Sequence, residues 1–385
     1  MHTLYPRRRL KSFVGISRLP PAAGGAKLAA WISPASDDMD SITQAVLGAS
    51  LQGALLGRWQ GRRALLYGAM LGTLPDLDVV IDYGDAVADM TYHRGFSHSL
   101  LVLSALALVL TLLIRKLRPN PGYSARRLFL TLWLVLITHP LLDSFTSYGT
   151  QLLWPFTPPP VAWSSVFIID PLYTLPLLVA VGVGLWRGLR DRPQWLAISA
   201  LCLSSLYLGF SVAGKWMAEQ RVEQVLAQRG IQAEALFSTP TPFNSLLWRV
   251  IVIEGNDYHE ALVGWLDDAP PRLERIPRGA ELAGVLRHSP QHQRLQWFTH
   301  GVLRYDQIGD QLIVTDLRLG MTGFHPFRFV FAERRDGRWQ PLPQVERLPF
   351  SRGEPQHLLT LWQRIWDEGE PIQLLSWANT LSQQP

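Results

Sequence analysis

Four apolar runs, at 99–114, 128–142, 166–186 and 195–214, constrain this chain more than any other feature. A helix that crosses a bilayer needs about 20 mostly apolar residues, with about 17 as the short end. The last two runs reach that length, and the first two draw on their flanks. Two weaker segments precede them: ITQAVLGASLQGALLG (42–57) and ALLYGAMLGTLPDLDVVI (64–81). Both are rich in Gly and Ala, as packed membrane helices are. The expected fold is therefore mainly α: a polytopic helical membrane domain of about five to six helices. Only 17% of the chain is charged, against about 25% in ordinary soluble domains. That average conceals a split. Residues 215–385 are mixed and polar, which predicts a C-terminal α+β domain outside the membrane.

The arginines and lysines order the segments. Arg58, Arg62 and Arg63 lie between the first and second. Arg115, Lys116, Arg118, Arg126 and Arg127 lie between the third and fourth, and Arg187, Arg190 and Arg192 between the fifth and sixth. Every second loop is basic, and basic loops stay in the cytoplasm. The remaining loops and the C-terminal domain then face outward, the periplasmic side of a cytoplasmic (inner) membrane. Residues 1–38 are basic but carry no apolar run long enough for a signal peptide. They are expected to be a disordered extension or an artefact of start-site choice. Met39 opens a compact helix start in which Asp40 and Ser41 are the caps. The expected organisation is an extension (1–38), a membrane domain with a polar site (39–214), a connecting helix and linker (215–240) and an α+β domain (241–385).

Ionisable groups at membrane depth are costly and mark functional sites by default. Here they cluster. Asp76 and Asp78 close the second segment in TLPDLD, His93 and His98 flank HRGFSHS, and His139 and Asp143 end the fourth segment in THPLLDSFTSYG. The arginine pattern puts all six at the outward ends of their helices. His139 and Asp143 are four apart, hence on one helical face. Gly95 is read as the turn that lets both histidines face one centre. Imidazole and carboxylate without thiolate suit Zn²⁺, Mn²⁺ or Fe²⁺, and such an ion lowers the pKa of its water to about 7. Arg94 either pairs with a phosphate or anchors the helix at the headgroups.

These blocks, LPDLD, HRGFSHS and THPLLDSFTSYGTQLLWPF, resemble the YdjM-type family of membrane-bound metal-dependent hydrolases. The family carries Leu-Pro-Asp-x-Asp, His-Arg-Gly-x-Thr/Ser-His-Ser, and His-x-x-x-Asp followed by Thr, Gly and Leu-Trp-Pro. The likeness covers roughly residues 41–157. It implies distant similarity to zinc-dependent phospholipase C and P1 nuclease. It also implies that Asp76, His93 or His98, His139 and Asp143 are ligands, with Asp78 a ligand or a supporting group. There is one departure. Where family members often carry a His early in the first helix, this chain has Gln44, a poor Zn²⁺ ligand.

The second half holds fewer signals. LLWRVIVIE (246–254), YHEALVGWL (258–266), QLIVTDLRLG (311–320) and FRFVFAER (327–334) have strand composition, with turns at GND and DG. SPQHQRLQWFTH (289–300) and QHLLTLWQRIWDEG (356–369) read as helices, and TPTPFN as a linker. His259, His288, His292, His300, His325 and His357 show no tight ligand spacing, and the four-apart pair His288 and His292 is read as surface polarity. The single Cys202, inside an apolar run, excludes a disulfide framework and a Cys-based zinc site. A net charge of +5 without a basic, aromatic-interleaved stripe gives no indication of a nucleic-acid partner.

The expected function is hydrolysis of a phosphoester or related ester, in a lipid-type or lipid-linked substrate, by hydroxide at a divalent metal. Asp78 or Asp82 would serve as general base and Arg94 would orient the anion; the bilayer is the expected partner. Two alternatives use the same residues without chemistry: metal transport or sensing, and a structural polar lock between helices. Transport needs polar groups continuing to the other face, where Thr131 and Thr138 are nearly all the sequence offers.

Overall fold

The computed structural model describes residues 37–190, 194–350 and 355–383. Its first part is helical: α1 (Asp37–Gln60), α2 (Arg63–Gly72), α3 (Ala86–Tyr92), α4 (Leu100–Leu117), α5 (Ala125–Ser144), α6 (Pro171–Arg187) and α7 (Trp195–Arg229). Among the described residues, α4, α5 and α7 are long and apolar enough to cross a membrane, and α6 is a shorter apolar helix. Most of the expected extension, residues 1–36, lies outside the described residues.

The helix count departs from the expected five to six spans. α1 begins at Asp37, not at the expected caps Asp40 and Ser41. The segment at 64–81 is not one helix. α2 stops at Gly72 after ten residues, and Leu74–Val80 form a 3-10 turn. Pro75 explains the stop, because its ring cannot continue the helix behind it. Ten residues rise about 15 Å, half a hydrocarbon core. The run from 166 becomes helical only at Pro171. There Asp170 caps α6 by accepting from the Leu172 and Tyr173 amides at 3.0 and 3.4 Å.

Small residues set how closely these helices approach. Gly68 and Gly72, one turn apart on α2, face Gly48 on α1. A Cβ on Gly68 would lie 2.3 Å from the Gly48 carbonyl oxygen, and one on Gly72 would lie 2.6 Å from that of Gln44. The two backbones therefore touch, as small-xxx-small crossings allow. α4 and α5 form an antiparallel hairpin whose core includes Leu103, Ala107, Leu128, Leu132 and Leu136, closed by Leu56 of α1.

The chain beyond α7 builds two four-stranded antiparallel meanders. The first is β1 (Ala235–Pro240), β2 (Leu247–Glu254), β3 (Asp257–Gly264) and β4 (Glu274–Pro277). The second is β5 (Leu303–Ile308), β6 (Gln311–Asp316), β7 (Arg328–Arg335) and β8 (Arg338–Arg347). Three helices accompany them: α8 (Pro290–Thr299), α9 (Pro355–Trp366) and α10 (Leu374–Asn379). The DG signal makes the β7–β8 turn, with Asp336 and Gly337 both at positive φ as a type I′ hairpin requires. Residues 215–229, read as a separate connecting helix, continue α7 without a break. Residues 235–240, read as linker, pair with β2. Ala218, Val222 and Leu226 of α7 pack on Trp248, Val250 and Val263, so the membrane helix supplies part of the sheet's core. His292 is no surface residue: it is buried 3.0 Å from the Tyr305 hydroxyl, whereas His288 is exposed.

Candidate metal centre

Three local structures deliver the polar residues. The 3-10 turn after α2 carries Asp76 and Asp78. The loop between α3 and α4 carries His93, Arg94 and His98, and the last turns of α5 carry His139 and Asp143. That loop turns at Arg94, which takes φ +58°, and not at Gly95, whose φ is −97°. The outcome separates the histidines. His98 is fully buried and points inward, while His93 turns aside to Asp78, Nδ1 to Oδ1 at 2.8 Å.

Asp76, His98, His139 and Asp143 each offer one ligand atom to a common centre. His139 Nε2 lies 3.1 Å from both His98 Nε2 and Asp76 Oδ1. His98 Nε2 lies 3.4 Å from Asp76 Oδ1 and 3.2 Å from Asp143 Oδ2, which is 3.4 Å from His139 Nε2. Five of the six edges of a tetrahedron thus fall between 3.1 and 3.4 Å. A regular tetrahedron of that size has its centre about 2 Å from each corner, close to Zn–N and Zn–O bond lengths of about 2.0–2.2 Å.

Hydrogen bonding behind the ligands fixes which atoms carry protons. His139 Nδ1 is 2.6 Å from the Gly72 carbonyl oxygen, which can only accept, so Nδ1 bears the hydrogen. Ser97 Oγ donates to Asp78 Oδ2 at 2.6 Å, so at 2.8 Å it must accept from His98 Nδ1. In the neutral tautomers both Nε2 atoms therefore present lone pairs, and they face each other beside two carboxylate oxygens. Asp143 Oδ2 is buried with no hydrogen-bond partner. One proton on His139 Nε2 still leaves the His98 Nε2 lone pair facing the Asp76 and Asp143 oxygens at 3.4 and 3.2 Å. A divalent cation satisfies all four atoms at once, so the donor set fits a Zn²⁺-type ion.

The remaining residues support this centre. Gly72 O is one of the carbonyls a helix end leaves free, and its position follows from the close α1–α2 crossing. Gln44 is buried and donates from Nε2 to Asp143 Oδ1 at 2.8 Å and to His139 O at 3.3 Å. It braces Asp143, one of the four clustered residues. Arg94 is also buried: its Nη1 is 3.3 Å from Thr146 Oγ1 and 3.6 Å from Asp143 Oδ1, and its guanidinium lies 4.8 Å from the Tyr148 ring centroid. It packs against Asp143, one of the four clustered residues. Asp78 connects Ser97 to His93. Asp82 accepts from the Gly84 amide in an exposed turn. Ser97 and the Gly72 carbonyl were not singled out from sequence. Ser97 had a signal, its place beside His98, but a backbone carbonyl has none.

The second half of the chain closes over the loop. Arg294 of α8 donates from Nε to Thr91 Oγ1 at 2.6 Å and stacks 3.7 Å from the Tyr92 ring centroid. Gln151 bonds to the Thr91 carbonyl at 2.7 Å and, through its amide, to the Arg94 carbonyl at 3.0 Å. Asp76, with 24% of its side chain exposed, is the open side of an otherwise buried ligand set.

Residues 39–218, which contain every group of this centre, match the family model described as YdjM inner membrane protein. Among curated proteins, the chain is 25% identical over 231 residues to the uncharacterized protein YfhP of Bacillus subtilis (strain 168). It is 38% identical over 98 residues to the inner membrane protein YbcI of Escherichia coli (strain K12). These matches cover 57% and 25% of this chain, and 67% and 55% of the two relatives. No solved structure matches it. Residues 39–218, just under half of the chain, are thus similar to the YdjM inner membrane protein family.

Proposed function

We propose that this chain is a membrane-embedded, metal-dependent hydrolase acting on a phosphoester, or a related ester, of a lipid-type substrate. The observation that carries this reading is the convergence of two proton-free imidazole nitrogens and two carboxylate oxygens, open on the Asp76 side. A divalent ion held there supplies Lewis acidity and lowers the pKa of a water to about 7. The chain's own residues do the rest. Ser97 and Asp78 fix the His98 tautomer, the Gly72 carbonyl fixes that of His139, and Gln44 and Arg94 hold Asp143. His93 has 22% of its side chain exposed and is backed by Asp78, so it offers an imidazole that takes or returns a proton at Nε2.

Alternating basic loops favour a periplasmic position for the centre, at the headgroup level where a lipid phosphoester would meet Asp76. Transport is less favoured. Thr131 and Thr138 donate to the Arg127 and Leu134 carbonyls of their own helix and extend no polar path across α5.

The test is release of headgroup from a panel of phospholipids in vesicles by purified, metal-loaded protein. Turnover is expected to fall at least 100-fold in His139→Ala and with a chelator, while the variant still inserts. Equal turnover in the variant, or none in the wild type, sinks the proposal.

A further inference from the structure

The helix α9 has two apolar faces, and only one is covered. Leu361 and Ile365 pack with Leu246, Leu247, Leu262 and Leu374, and Arg364 donates two 2.7 Å bonds to the Asp267 carboxylate. Around the helix from these, Leu358, Leu359, Trp362 and Trp366 are 46–58% exposed. At 100° per residue they occupy one face about 100° wide. The two tryptophans pack edge to face, with ring centroids 5.8 Å apart. The helix contains no acidic residue. Four large apolar groups in one patch are more than the scattered exposed hydrophobics of a soluble surface.

The position of α9 says what covers this face. It packs on Leu247, the first residue of β2, and Leu262 of β3, next to residues that touch α7. Ser245, beside Leu246, bonds to the Tyr207 hydroxyl of α7 at 3.0 Å. Trp265 stacks on Phe210 of α7, with centroids 5.1 Å apart. The turn after Trp265 exposes Leu266 and supplies the Asp267 that holds Arg364. Close by on α7, Phe210 and Trp216 are also exposed, where the apolar run ends at residue 214. Exposed apolar groups thus continue from the membrane-crossing part of α7, across Leu266, towards α9. Tryptophans flanked by leucines on a helix without acidic groups suit the headgroup layer.

We infer that α9 is an interfacial helix: its Leu358, Leu359, Trp362 and Trp366 face seats in the headgroup layer of the bilayer that α7 crosses. The bilayer then grips the C-terminal domain at a second point besides α7. That domain reaches the metal-centre loop through Arg294, so the docked helix steadies the lid over the site.

The test uses full-length Cys202→Ser protein in nanodiscs, one copy per disc, made of phosphatidylethanolamine and phosphatidylglycerol. An environment-sensitive fluorophore is attached at Leu359→Cys, or at Gln363→Cys on the edge of the same face should the first variant misfold. The control is Gln228→Cys, exposed near the end of α7 and about 20 Å beyond residue 214 by helical rise. Brominated lipid is expected to quench the α9 label at least threefold more than the control, and Trp362→Glu is expected to abolish the difference. Equal quenching at both sites overturns the inference. So does protection of the label only when two copies share a disc, which would assign the face to a second chain.

Discussion

Ser97 does more for the metal centre than its small hydroxyl suggests. By donating to Asp78 it is forced to accept from His98, and that bond leaves His98 Nε2 free to ligate. Ser97→Ala should therefore weaken metal binding about 10–100-fold without removing a ligand, as losses behind metal ligands do. Competition with a chelating dye measures it, and unchanged affinity would show that the tautomer is fixed some other way. Gln44→Ala should act in the same direction through Asp143, because it strips a donor from a buried carboxylate. The sequence offered six candidates of the right types, of which four, Asp76, His98, His139 and Asp143, come together. Which histidine turned inward was not legible there, because that depended on a positive φ at Arg94 and a hydroxyl one residue before His98. Nor could sequence show that Arg94 would be buried against Asp143 and Tyr148, since both lie about 50 residues away along the chain.

At the scale of elements, the site depends on a backbone contact. The α1–α2 crossing at Gly48, Gly68 and Gly72 puts the Gly72 carbonyl against His139 and Gln44 against Asp143. Gly68→Leu has no room, since even a Cβ would meet the Gly48 carbonyl oxygen at 2.3 Å. It should cost at least about 1–3 kcal/mol through overpacking and lower metal content although no ligand has changed. Thermal unfolding and elemental analysis on the same sample check both; full metal content in a folded variant would show that the crossing does not position the site. The GAMLG spacing was visible in the sequence, but the brevity of α2 was masked by apolar residues running on to Ile81. Proline hid strands for a related reason. β1 ends in Pro240, and β8 contains Pro341 and Pro343. Both strands lie at sheet edges, where a missing backbone N–H is tolerated and strand composition is weak.

The molecule as a whole joins an apolar helical part, similar to YdjM inner membrane proteins, to a β-rich part through one unbroken helix, α7. Its split into apolar and polar halves was plain from composition. The contacts that tie the halves together were not, because Arg294 and Thr91 are 203 residues apart. In the C-terminal part, burial alone would raise the Asp267 pKa. The Arg364 hydrogen bonds, the Gly264 amide and the nearby Arg221 charge outweigh burial and hold it below the ordinary carboxylate value. A depressed folded-state pKa stabilises above the unfolded value of about 4, and that contribution fades as pH falls through the folded-state pKa. Thermal stability should therefore decline below about pH 5 partly through this pair. Asp267→Asn should be less stable near neutral pH and show a flatter acid dependence; an acid limb parallel to that of the wild type would exclude the pair as its source. The central claim remains the metal centre, and X-ray absorption on stoichiometrically analysed protein tests it most directly. The account predicts one divalent ion per chain with imidazole nitrogen and carboxylate oxygen at about 2.0–2.2 Å, lost together in His98→Ala and His139→Ala. Purified protein without stoichiometric metal, or a full complement retained in both variants, would contradict it.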